Sequence, residues 1–261
     1  MAIPIQNALS TIEKEEQVRI LYACESGSRA WEFASPNSDY DVRFLYVRPQ
    51  KDYLRLDALQ DVIERPIVDD LDINGWDIMK VLRLLRNSNP PLLEWLFSPI
   101  VYLENSRYIE ELRTLARRSY SSVALFYHYS RMAYRSYHQY IEGKSTASLK
   151  KYFYVLRPIV ALLFLEQHQT LPATSFVRTL AEVELPAEVR EHIQQLLQAR
   201  QASEEIGTGP VDPVLNSFID VQLAKWNRAS FVQPQEKSGF GELNTLLLHI
   251  LNEDAVVPQE V

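Results

Sequence analysis

The apolar spacing of this chain changes period once, and that change bounds the fold. Before about residue 75 the apolar runs are short. VRILYAC (18–24) and DYDVRFLYV (39–47) read as strands, and VIERPIVDDLDI holds a third extended segment ending near 70–73. After Asn74-Gly75 the spacing turns helical, with Trp76, Met79, Leu82 and Leu85 marking a helix that ends around Asn87. SNPPLLEWLFSPIVY adds a short helix and a loop, and from about 107 onward one helical pattern follows another. Among these, 121–142 is rich in tyrosine, 147–169 carries Pro158 as a kink or break, and EIGTGPVDP (205–213) reads as a linker. Three strands are few for a doubly wound sheet. The expected class is α+β: a small mixed sheet flanked by helices over 1–110, followed by a C-terminal helical region over 111–261.

At 261 residues and 46% hydrophobic content, the chain can bury a core as one large domain or two modest ones. Its net charge of -7 argues against a broadly basic nucleic-acid surface, while leaving room for a local basic patch. The single cysteine, Cys24, excludes an internal disulfide framework and fits a cytoplasmic protein. The N-terminus lacks a secretory pattern, and PIVALLFLE (158–166) is too short to span a bilayer, so no membrane partner is expected.

The chemistry concentrates in ACESGSRAWEFASPNSDYDVR. Asp39 and Asp41 are two apart on a strand, which places both carboxylates on one face. Two like charges so close need a cation between them, and a divalent ion with oxygen ligands would serve. The plain alternative is a turn-capping aspartate with an exposed neighbour. Gly27 permits close backbone approach, and Ser28 offers a hydroxyl and an N–H at a helix start, groups that suit phosphate oxygens. A third carboxylate would complete a two-ion site. The candidates are Asp69, Asp70, Asp72 and Asp77; pattern favours Asp72, at the end of the third extended segment, whereas Asp77 stands at a helix start it can cap.

These residues resemble the DNA-polymerase-β-type nucleotidyltransferase superfamily, whose motif is Gly-Ser, a spacer, Asp-x-Asp and a later third carboxylate. The closer resemblance is to a bacterial and phage branch of predicted nucleotidyltransferases, through GSRAWEFASPNSDYDVRFLYVRP, DINGWDIMKVLRLLRNSNPPLLEWLFSPIVY and KKYFYVLRP. The resemblance implies that Gly27 and Ser28 contact phosphates. It implies that Asp39, Asp41 and Asp72 are the catalytic, metal-binding carboxylates for Mg²⁺, or Mn²⁺ in its place. Asp72 would activate the attacking hydroxyl. The implied substrate is a nucleoside triphosphate such as ATP, with RNA, a protein or a small molecule as acceptor. Relatives often carry glycine after the tryptophan where this chain has Glu32.

Other groups carry weaker signals. Arg29 and Arg43 flank the proposed site and can offset substrate charge or simply pair with carboxylates. Lys80 lies on the helix after Asp72. Lys150, Tyr154 and Arg157 share a helical face, with Lys151 and Lys144 near it, and read either as a cationic wall for the triphosphate or as a polar helix edge. IEGKST lacks the first glycine of a P-loop, having His138 there. His128 and His138 lack metal-ligand spacing, and Cys24 reads as a buried strand residue. The tyrosines of 121–142 are a helical core or partner face, or surfaces on which bases stack. The expected function is metal-dependent transfer of a nucleoside monophosphate. A catalytically inactive nucleotide- or RNA-binding protein of the same fold is the alternative, and a helical interaction protein a third reading. Oligomeric state is not legible.

Overall fold

The computed structural model describes residues 2–57, 59–104, 106–202, 207–227 and 239–254. In chain order the first elements are α1 (Ala2–Glu16), β1 (Arg19–Ser26), α2 (Gly27–Ala30), β2 (Tyr40–Val47), a 3-10 turn (Gln50–Leu54), β3 (Val62–Glu64) and β4 (Leu71–Asp77). Then come α3 (Ile78–Arg86), α4 (Pro90–Leu96), β5 (Val101–Glu104), α5 (Ser106–Ser119), α6 (Ser122–Tyr140), β6 (Thr146–Ser148) and α7 (Leu149–His168). The last are α8 (Phe176–Glu182), α9 (Ala187–Ala202), β7 (Thr208–Pro210), α10 (Pro213–Asn227) and α11 (Phe240–Asp254). The chain divides into two compact units, one of residues 1–27, 39–120 and 235–261, the other of 28–38 and 121–234.

In the first unit, five strands among the described residues form one mixed sheet in the order β3-β4-β2-β1-β5. The β2–β4 pair is parallel, and the other pairs are antiparallel. This is the expected α+β class, with two more strands than the sequence pattern suggests. The third extended segment is a hairpin-like pair, β3 and β4, and β5 lies where a loop is expected. At three and four residues, β3 and β5 are too short to show a period and are held by their neighbours in the sheet.

β2 alternates, so its even residues face one side. There Val42, Phe44 and Tyr46 form a core with Ile73 of β4, Ile20 and Ala23 of β1, Ile63 of β3, and Ile5, Leu9 and Ile12 of α1. Those α1 residues recur at i, i+4 and i+7, the spacing of one helical stripe. β1 keeps register with this face through a bulge between Ile20 and Tyr22. Gly75 is opposite Phe44, where a Cβ would meet the ring at 2.1 Å, so the phenyl group occupies space a side chain would need. On the other face Trp76 stacks on Trp95 of α4 at 3.7 Å between centroids, and the Tyr22 hydroxyl donates to the Trp95 carbonyl at 2.8 Å.

β4 runs two residues further than the helical spacing implies. The helix begins at Ile78, not Trp76, because the Asp77 side chain caps it by accepting the Met79 N–H at 2.8 Å. Asn89 caps α4 in the same way, with Pro90 in its first turn.

In the second unit α7 is continuous through Pro158, which is buried, so neither a break nor a second helix follows from that proline. Phe33, Phe153 and Phe176 pack together, the first two stacked at 4.8 Å. Of the expected linker, 205–206 lie outside the described residues, and Thr208–Pro210 pairs with β6 as a small two-stranded sheet. Among the described residues no helix is long and apolar enough to cross a membrane.

Candidate active site

The parallel pairing of β2 with β4 sets Asp41 directly opposite Asp72. Because side chains alternate along a strand, both carboxylates leave the sheet on the side away from α1. Asp39 lies one residue before β2, outside the strand, and is exposed. Arg43, two residues on, bridges the pair: its guanidinium donates to Asp72 Oδ2 at 2.7 Å and approaches Asp41 Oδ1 at 3.3 Å. It also donates to the Asp72 carbonyl at 3.0 Å. The three side chains are part-buried, with Arg43 17% exposed. Among the described residues no three His, Cys, Asp or Glu side chains converge as a ready ion cage; the cation between these two acids is Arg43.

Gly27 closes the other side of Asp41. Its φ is +64°, and a Cβ there would stand 2.0 Å from Asp41 Oδ2. Both facts require glycine, one by backbone conformation and one by space. The Asp41 carboxylate therefore packs directly against the β1–α2 turn, with Ser28 next in the chain. The donor chemistry fits Mg²⁺, a hard cation that takes carboxylate oxygens and keeps places for water or phosphate. Asp41 and Asp72 would hold it, with Asp39 two residues before Asp41.

The remaining candidates are placed as follows. Asp77 is five residues beyond Asp72, on the opposite face. It is 4% exposed, caps α3, and accepts the Tyr53 hydroxyl at 2.8 Å. Burial raises its pKa, against the lowering effect of the Tyr53 and Met79 hydrogen bonds. Asp69 and Asp70 form the turn before β4, both with positive φ, and the Asp70 carbonyl accepts the Tyr40 N–H at 2.8 Å. Lys80 pairs with Asp61 at 2.9 Å, not with Asp72, and its ammonium stands 6.0 Å from the Trp76 ring centre.

In the second unit Arg29 donates to the Ser38 carbonyl at 2.5 Å. Arg157 lies over the Trp31 ring at 4.0 Å, Lys150 is 6.0 Å from the Tyr154 ring centre, and Lys151 lies over Tyr140 at 3.9 Å. Cation–aromatic packing therefore orders this face of α7. Glu32 accepts a hydrogen bond from the Ser175 hydroxyl, the residue that caps α8.

Two groups escape a reading by motif. Glu25 is fully buried: Oε1 accepts the Asp41 N–H at 2.8 Å and Oε2 accepts the Tyr102 hydroxyl at 2.5 Å. It ties the start of β2 to β5, and a carboxylate inside an apolar strand was its only signal. Arg200 of α9 is 3% exposed, and burial lowers its pKa. Cys24 is buried opposite Arg43, its thiol pushed up to about 12 by desolvation, which leaves it unreactive.

The sheet, the acid pair and the glycine turn define a polymerase-β-type, nucleotidyltransferase-like protein. The family model described as "RlaP: RNA repair pathway DNA polymerase beta family" matches residues 1–249, and the chain belongs to that family. It is similar to the uncharacterized protein YcgL of Bacillus subtilis (strain 168), 42% identical over 250 residues, which cover 95% of this chain and 96% of that one. It also aligns with a crystal structure of a nucleotidyltransferase-like protein from Exiguobacterium sibiricum 255-15. That alignment has 14% identity and a TM-score of 0.33, over 95% of this chain and 80% of the other, too loose a likeness to carry an argument.

Proposed function

We propose that the protein transfers a nucleoside monophosphate from a nucleoside triphosphate to an acceptor hydroxyl, with Mg²⁺ or Mn²⁺ bound at Asp39, Asp41 and Asp72. The observation that carries this reading is the placement of Asp41 directly opposite Asp72, beside a glycine turn where a Cβ would collide with the Asp41 carboxylate. The bound ion would supply charge neutralisation for the triphosphate and a lowered pKa for the acceptor hydroxyl. Asp41 and Asp72 orient that chemistry from two strands whose register is set by backbone hydrogen bonds, so neither needs to move far. On the family resemblance, Asp72 would take the hydroxyl proton. Gly27 and Ser28 would meet terminal phosphate oxygens through backbone and hydroxyl groups. Arg29, Lys80, Lys150, Tyr154 and Arg157 are assigned to the triphosphate on the family resemblance alone. The family's description, an RNA repair pathway, supports RNA as the acceptor.

Arg43 favours a second reading. A guanidinium already neutralises both acids, as in a protein of this fold that binds nucleotide or RNA without transferring anything. Incubation of pure protein with Mg²⁺ and each labelled triphosphate separates the two. The transferase reading requires pyrophosphate release and label moving into RNA, protein or a small molecule. Nucleotide binding with neither signal would establish the inactive reading.

A further inference from the structure

The proposed chemistry leaves α6 without a role. Its 19 residues, SVALFYHYSRMAYRSYHQY, contain no Asp or Glu, in a chain with 34 acidic and 27 basic residues. Leu125, Phe126, Tyr129, Ala133 and Tyr137 are buried on one side. On the other, Tyr127, Arg131, Tyr134 and His138 recur at i, i+4, i+7 and i+11, the spacing of a single exposed stripe, with Arg135 beside it. Tyr127 is 44% and Tyr134 51% exposed. The rings are braced: Tyr127 meets Phe126 edge-on at 5.7 Å, and Tyr134 meets His138 edge-on at 3.9 Å. Arg131 and Arg135 are exposed and meet no carboxylate among the described residues. The nearest acid along the stripe, Glu142, is held by His138 at its end. The stripe is a ridge between two grooves. One, about 550 Å³, runs toward Leu223 and Trp226 of α10; the other, about 460 Å³, runs along His128 and Met132.

Exposed rings alternating with uncommitted guanidiniums are poor company for an apolar partner helix, which would have to desolvate both arginines. They suit a flexible strand whose bases stack on the rings while its phosphates meet the cations. At about 1.5 Å rise per residue the two tyrosines stand roughly 10 Å apart along the helix axis, about three steps of a stacked strand. We propose that this face of α6 binds single-stranded RNA. That the RNA so held is the acceptor rests on the transferase reading above. The family's description favours RNA over DNA.

The test uses the full chain, with a fluorescein-labelled single-stranded RNA of roughly twelve nucleotides, followed by anisotropy in EDTA without triphosphate. The double variant Tyr127→Ala/Tyr134→Ala should weaken binding by at least about ten-fold, while Tyr127→Phe/Tyr134→Phe, which keeps the rings, stays within about two-fold. Arg131→Gln/Arg135→Gln should weaken binding and reduce the slope of log affinity against log salt by about 1.4, two single-strand phosphate contacts. Wild-type protein that does not bind, or Ala and Gln variants that bind as wild type, would overturn the proposal, as would equal affinity for DNA of the same sequence or for a blunt duplex. Label transfer is read separately with the wild-type protein. Transfer to another acceptor without RNA binding removes this inference and leaves the transferase reading. RNA binding without transfer does the reverse.

Discussion

Alternate residues of β2 enter two different environments. Val42, Phe44 and Tyr46 are fully buried beneath α1, packed among apolar side chains. Asp41 and Arg43, between them, face the other way and meet Asp72 in a part-buried cluster of three charges. β4 repeats the contrast with two acids on one strand. Asp72, opposite Asp41, keeps a third of its side chain exposed and is held by an arginine. Asp77, on the other face, is buried and spent on capping a helix and holding Tyr53. An acid's place in this sheet is set by which side of the pleat it leaves, and a one-residue shift in either strand would exchange the two environments.

The largest expected effect lies on the charged face. Asp41→Ala should lower nucleotidyl transfer by about 10³-fold or more, on the order of 4 kcal/mol in the barrier, with the thermal midpoint shifted by only a few degrees. Full activity in the purified variant would mean the chemistry is elsewhere. Phe44→Ala should do the opposite: about 3–4 kcal/mol of stability lost in a urea titration, with activity per folded molecule retained. If both variants lose stability equally, the two faces are not separable.

Gly27→Ala sharpens the contrast, because it strains the backbone and pushes on Asp41 at once. It should cost roughly 1–2 kcal/mol of stability and lower transfer by about ten-fold or more. An unaffected transfer rate would show that Asp41 can move aside without consequence. Arg43→Gln removes the internal cation and should lower the Mg²⁺ concentration giving half-maximal activity by about three- to ten-fold, roughly 1 kcal/mol of relieved competition. A higher requirement would show that Arg43 positions the acids for the ion.

The smallest effect concerns Asp77. Its raised pKa means the folded protein holds a proton that the unfolded chain has released. Stability therefore falls as pH rises through the window above the ordinary value of 3.8. Asp77→Asn should flatten that slope while keeping the cap, since its side-chain oxygen still accepts from Met79. An unchanged slope across acid pH would assign it to other groups.

β1 is legible as a continuous apolar run and β2 by its alternation, and Gly27, Ser28, Asp39 and Asp41 fall within one local stretch. β3 merges with β4 into one extended segment, and β5, β6 and β7 have no signal of their own, because three or four residues carry no period; their pairing partners define them. The start of α3 was read two residues early because Trp76 also satisfies helical spacing, whereas the boundary is set by the Asp77 cap. A local rule makes Pro158 a kink or a break; α7 runs on through it, with the proline on its buried face. Glu25 had no motif to announce it; its importance lies in reaching the Asp41 N–H and the Tyr102 hydroxyl from another strand.

From the order of its residues alone, the chain shows its class, the two-residue spacing of Asp39 and Asp41, and a Gly-Ser turn before them. These depend on spacing within a few residues, which backbone geometry converts directly into direction. Which distant acid faces Asp41, and that Arg43 stands between the two, was decided by the parallel register of β2 and β4. That register is fixed by burial of Phe44 against Gly75 and by the backbone hydrogen bonds between the two strands. It is a long-range choice among alternative pairings that no local spacing encodes.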